Sequence, residues 1–137
     1  MPLLFAFSCV ALIVTAPLLA TQPTVRASDA WIKAPAAGGT EASAFVAVDN
    51  GTMYDVFIVG AQTEAATIEI RDMPKGAAAP VTVKEVPVPA FGRLEMSPTA
   101  VHLHLTALKA PLVPGDVVKL VIQTDGGEHL TVAATVK

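Results

Sequence analysis

Short runs of β-branched residues, broken about every ten residues by Pro, Gly or Asn, limit this chain more than any other feature. After residue 20 no window of a dozen residues shows a helical 3.6-residue period, and eleven prolines further disfavour long helices. The pattern predicts strands at 25–32, 43–49, 56–61, 67–71, 81–86, 93–96, 101–106, 117–123 and 130–136. Turns are expected at 36–39, 50–53, 73–80, 87–92, 109–116 and 125–128. Asp125-Gly126-Gly127, between two β-branched runs, reads as a hairpin. The fold class is all-β, a sandwich or small barrel of a single domain spanning residues 21–137.

The first twenty residues stand apart. They hold none of the charged side chains, and all but four (Pro, Ser and Thr) are apolar. The segment reads as a secretory signal peptide with Ala20 as the small residue before the cut. Left uncleaved, it is just long enough to be a membrane anchor. Either way the domain is exported, and a membrane partner is expected only if residues 1–20 are retained. The single cysteine, Cys9, lies inside this segment, too early in the apolar run to suit lipid attachment. The domain that follows therefore has no thiolate for zinc, iron–sulfur, blue-copper or nucleophilic chemistry.

A formal net charge of −3 argues against a nucleic-acid partner, which needs a basic face. The sequence contains no GxSxG, HExxH, Walker loop or GxGxxG, and no pair of acids is singled out by spacing. The chain reads as a non-enzyme.

The chemistry-bearing pattern is His102-x-His104. In Val101-His102-Leu103-His104-Leu105 the two-residue period puts the Val and both Leu on the core face and both histidines on the other, solvent, face. Their Cα atoms are expected about 7 Å apart, close enough for two imidazoles to converge on one metal ion. The plainer reading is two exposed polar residues. His129 reads as a surface residue. Met96 shares a face with Leu94 and belongs to the core; Met53 follows a turn; Met73 stands before Pro74, where a loop can present it as a thioether ligand. Arg71 is expected to point outward from its strand. Asn50-Gly51-Thr52 matches a glycosylation sequon, but a tight turn explains it fully.

These pieces occur in an order that resembles the PCu(A)C family of periplasmic copper chaperones. Ala30-Trp31-Ile32-Lys33-Ala34 resembles its opening strand, and Ala44-Phe45-Val46-Ala47-Val48-Asp49-Asn50 its second. Asp55 to Ala61 and Ile68-Glu69-Ile70 follow in place, and residues 101–116 resemble its "HxMLMGLKxPLxxGD" block. The resemblance implies a cupredoxin-like β-barrel, a periplasmic location, Cu(I) as cargo and a role in cytochrome oxidase assembly. The implied partner is a copper-accepting oxidase subunit or another copper chaperone.

The family's ligands run His, Met, then His-x-Met. Carried over by position, the second His is His102, and the last Met is replaced by His104. The first His is replaced by Arg71, and 81–83 hold no Met. Met73 is the nearby residue that can compensate, so the implied metal residues are His102, His104 and Met73. Two imidazoles suit Cu(II) or Zn(II) better than Cu(I), with water or a carboxylate such as Asp72 completing the shell. The second reading is a diverged, metal-free β-sandwich interaction module in the periplasm.

Overall fold

The computed structural model describes residues 24–36 and 38–137. The apolar segment 1–20 and Cys9 lie outside them. Ten strands form one sheet: β1 (Val25–Lys33), β2 (Ala42–Asn50), β3 (Val56–Gln62), β4 (Thr67–Asp72), β5 (Val81–Thr82), β6 (Val86–Val88), β7 (Arg93–Glu95), β8 (His102–Thr106), β9 (Val117–Thr124) and β10 (His129–Val136). No helix occurs among the described residues. The strand order is β5-β4-β8-β2-β1-β10-β9-β3-β6, with β7 also paired to β2. The sheet curls into a half-barrel, so that β3 and β4 approach each other without pairing.

Alternation decides what the curl encloses. Ile32, Ala44, Val46, Val48, Ile58, Ile70, Leu103, Leu105, Leu120 and Ile122 all point inward and are buried. Met96 joins them, as its pairing with Leu94 suggested. The central strand β2 is buried on both faces around Phe45 and Ala47. On its outer face Trp31 stacks on Phe45 with centroids 4.5 Å apart, and Lys137 Nζ lies 5.7 Å over the indole. The register of β1 against β2 shifts between Ser28 and Trp31, where Asp29 adopts a φ of 52°. That bulge re-aims Trp31 onto Phe45.

The run at 81–86 departs from expectation. It is not one strand but two, β5 on β4 and β6 on β3. Here the chain crosses from one edge of the open sheet to the other, and no single strand can serve both. Pro87 fits because β6 is an edge strand.

Two turns carry the sequence signals as read. The 125–128 hairpin closes with Gly127 N donating to Thr124 O (3.1 Å) and Gly127 at φ 80°. At Pro114-Gly115-Asp116 the Val113 N donates to Asp116 Oδ2 (3.1 Å), and Gly115 sits at φ 98°.

Asn50 is used up internally. Its Nδ2 donates to Tyr54 O (2.7 Å) and Val88 O (3.0 Å), while its Oδ1 accepts from Thr52 N (2.9 Å) and Thr52 Oγ1 (2.6 Å). At 2% exposure it ties the 50–54 turn to β6 and is closed to glycosylation in the folded domain. Asn50→Ala strands two carbonyls and is expected to cost about 2–4 kcal/mol, read from urea unfolding. At the same end Arg93 bridges Asp49 (2.8 Å), Glu95 (2.9 Å) and Asp29 (3.1 Å), and hydrogen bonds to Asp49 and Glu95 hold its pKa above the ordinary arginine value.

Candidate metal centre

The histidines arise from one strand that must bury its other face. Leu103 and Leu105 go fully into the core, which fixes the register of β8 and forces His102 and His104 to the opposite side. That opposite side is not open solvent. His102 is only 6% exposed, with its ring 6.3 Å from that of Phe45, and the His104 side chain is only 13% exposed. The expected solvent face is therefore corrected. β4 and β2 flank β8 on both sides, and their side chains cover it.

Cross-strand pairing builds two polar rows. In the first, Thr82 of β5, Arg71 of β4 and His102 stand opposite one another. In the second, Glu69 of β4, His104 and Ser43 of β2 do so. Arg71 thus shares the histidines' face. It does not point freely outward: Nη2 meets Glu69 Oε2 at 3.3 Å, and Nε is buried without a hydrogen-bond partner.

The ring nitrogens differ in what they can do. His102 Nδ1 donates to Ala100 O at 2.9 Å, so in the neutral ring the lone pair is on Nε2. A backbone carbonyl holding one nitrogen while the other faces outward is how metal-binding imidazoles are commonly oriented. His104 Nε2 is buried with no hydrogen-bond partner, and Glu41 Oε1 is 3.7 Å away. A buried nitrogen left unpaired is costly unless something arrives to meet it. These donors fit a metal that accepts imidazole.

The remaining expected ligands are less well gathered. Met73 is half-buried and follows β4 directly, two residues beyond Arg71, on the side of His102 away from His104. Asp72 alternates to the other face of β4 and does not join the histidines; the acids on their side are Glu69, opposite His104 and paired with Arg71, and Glu41, which sequence spacing gave no means of finding. Among the described residues no group of three or more His, Cys, Asp and Glu comes together to hold a metal. His129 is exposed at the start of β10, as read. A groove of about 790 Å³ runs between residues 61–68 and 117–121 and includes neither histidine.

The curled half-barrel is the fold of PCuAC domains. The solution structure titled CuI-DR1885 from Deinococcus radiodurans superposes with a TM-score of 0.71 at 28% identity, covering 85% of this chain and 81% of that one. The copper-bound PCuAC domain from PmoF2 gives 0.70 at 18% identity over 82% and 92%. The chain itself belongs to the family described as "Putative lipoprotein LpqE-like", which it matches over residues 25–136. A curated relative, "Putative lipoprotein Lxx21020" of Leifsonia xyli subsp. xyli, is 32% identical over 119 residues, covering 82% of this chain and 69% of that protein. Copper is the metal these structure titles name; zinc appears in none of them.

Proposed function

We propose that this chain is an exported copper-binding protein of the cell envelope, of chaperone type and without catalytic activity. His102 and His104 hold copper, and Met73, from the turn after β4 on the far side of His102, is the thioether that favours Cu(I). The observation that carries the reading is the pair of imidazoles on one face of β8. One is oriented by Ala100 O, and the other has an unpaired nitrogen. The PCuAC fold and the copper named in its solved relatives support it. The lipoprotein names of the family and of its relative support an envelope location. Transfer would proceed by ligand exchange. A shell of two or three ligands lets an acceptor's side chain bind before the donor's leave; the acceptor that the resemblance implies is a copper-accepting oxidase subunit or another copper chaperone.

Titration with Cu(I) against a chromogenic chelator tests the reading. One equivalent retained by the chain supports it, and no retention overturns it. Arg71 gives a further check. It stands opposite His102, and its cation repels copper. Arg71→His removes that charge and adds an imidazole in the same row, so it is expected to tighten Cu(I) binding by about tenfold or more, by the same competition. The second reading, a metal-free interaction module, is favoured by one observation: this cation, with its Nε buried, lies beside the histidines.

A further inference from the structure

The end of the domain where the described chain begins carries three large exposed apolar side chains. Met53, Tyr54 and Phe91 are 67%, 73% and 74% exposed. They stand on two turns locked together: Phe91 N donates to Thr52 O (3.1 Å), Asn50 N to Gly92 O (2.9 Å) and Ala90 N to Asp55 Oδ1 (3.0 Å). Phe91 holds a φ of 55°, a conformation that favours Gly or Asn, so an aromatic there is maintained against its backbone preference. Thr24 O accepts from Gly51 N of the same turn at 3.0 Å, which brings the start of β1 to this patch. Only residues 21–23 separate Thr24 from the uncharged apolar segment 1–20, a reach of about 10 Å.

We propose that this end rests on a lipid bilayer, with Met53, Tyr54 and Phe91 in the interfacial region, whenever residues 1–20 lie in the membrane. Tyr and Phe on a rigid turn are suited to the boundary between headgroup and acyl chain. The acids Asp55 and Asp125 at this end favour a zwitterionic surface over an anionic one. The docking holds the histidines off the bilayer. His102 lies at the level of Phe45, and Asn50 is five residues further along β2, about 17 Å nearer the membrane. The inference rests on retention of residues 1–20 and does not depend on the copper site.

The test places the full chain in phosphatidylcholine nanodiscs that carry a nitroxide-labelled lipid headgroup and reads amide NMR intensities. Amides at 51–55 and 90–92 are expected to lose at least about threefold more intensity than those of Thr67 and Leu108. The Met53→Ser/Tyr54→Ser/Phe91→Asn variant, still tethered through residues 21–23, is expected to narrow this contrast while keeping the wild-type amide spectrum in β2 and β8, since Asn tolerates the Phe91 backbone. An unchanged contrast would mean that the tether alone holds this end at the membrane and overturns the proposal. Uniform broadening, or broadening strongest at Thr67 and Leu108, overturns the proposal and leaves the copper reading intact. Failure of the full chain to enter the discs overturns the retained anchor and the proposal with it.

Discussion

Replacing His102 and His104 together by alanine is expected to weaken Cu(I) retention at least about 100-fold in competition with a chromogenic chelator. Loss of groups that merely orient a ligand already costs 10–100-fold. Losing both imidazoles leaves Met73 as the only remaining side chain of the proposed site, and a lone thioether does not hold copper against a chelator. The single variants separate the two roles. His102→Ala also removes a side chain packed beside Phe45 and is expected to lower stability modestly, by about 1–2 kcal/mol. His104→Ala relieves a buried nitrogen that has no partner, so it should leave stability unchanged or slightly raised while still weakening copper. A double variant that competes as well as the wild type would place copper elsewhere.

The largest effect on stability is expected at Phe45. Its ring is buried between Trp31 and His102 on the central strand, so truncation opens a cavity that the neighbouring strands cannot collapse to fill. Phe45→Ala is expected to cost about 3–5 kcal/mol in urea unfolding. Because the same ring walls one side of His102, the variant should also loosen copper in whatever fraction stays folded. Phe45→Leu keeps most of the volume and should cost less than about 1.5 kcal/mol, with copper retained. Copper held as tightly by folded Phe45→Ala as by Phe45→Leu would mean that the side chain at 45 does not support the histidine.

Most of this architecture was legible because it rests on local rules. The Asp125-Gly126-Gly127 hairpin needs glycine at positive φ, and the Pro114-Gly115-Asp116 turn needs that and an aspartate that folds back on the backbone; both are written in consecutive residues. Strand faces followed from alternation, which is why Met96, Leu103 and Leu105 were placed correctly. The errors share one cause: they depend on which strands lie side by side. Nothing local says that residues 81–86 leave one sheet edge for the other. The face of His102 was read as exposed because alternation gives sides, not coverage. It is Phe45 and the strands beside β8 that bury it.

The arrangement at the candidate site was half legible. The His-x-His spacing marks two donors, and the resemblance marks where the others would stand. The pairing of Arg71 with His102 follows only from the antiparallel register of β4 and β8. Glu41 reaches His104 from the residue just before β2, across a strand pair that sequence distance hides. Asp72, next to Arg71 in sequence, lies on the other face of β4 by the same alternation that puts both histidines on one face of β8.

X-ray absorption at the copper edge of the Cu(I)-loaded full chain measures the central claim most directly. Two imidazole nitrogens are expected in the first shell, with the outer-shell scattering of intact rings, together with a sulfur that disappears in Met73→Ala. A spectrum without imidazole scattering, or one unchanged in His102→Ala/His104→Ala, would contradict the assignment of copper to this strand.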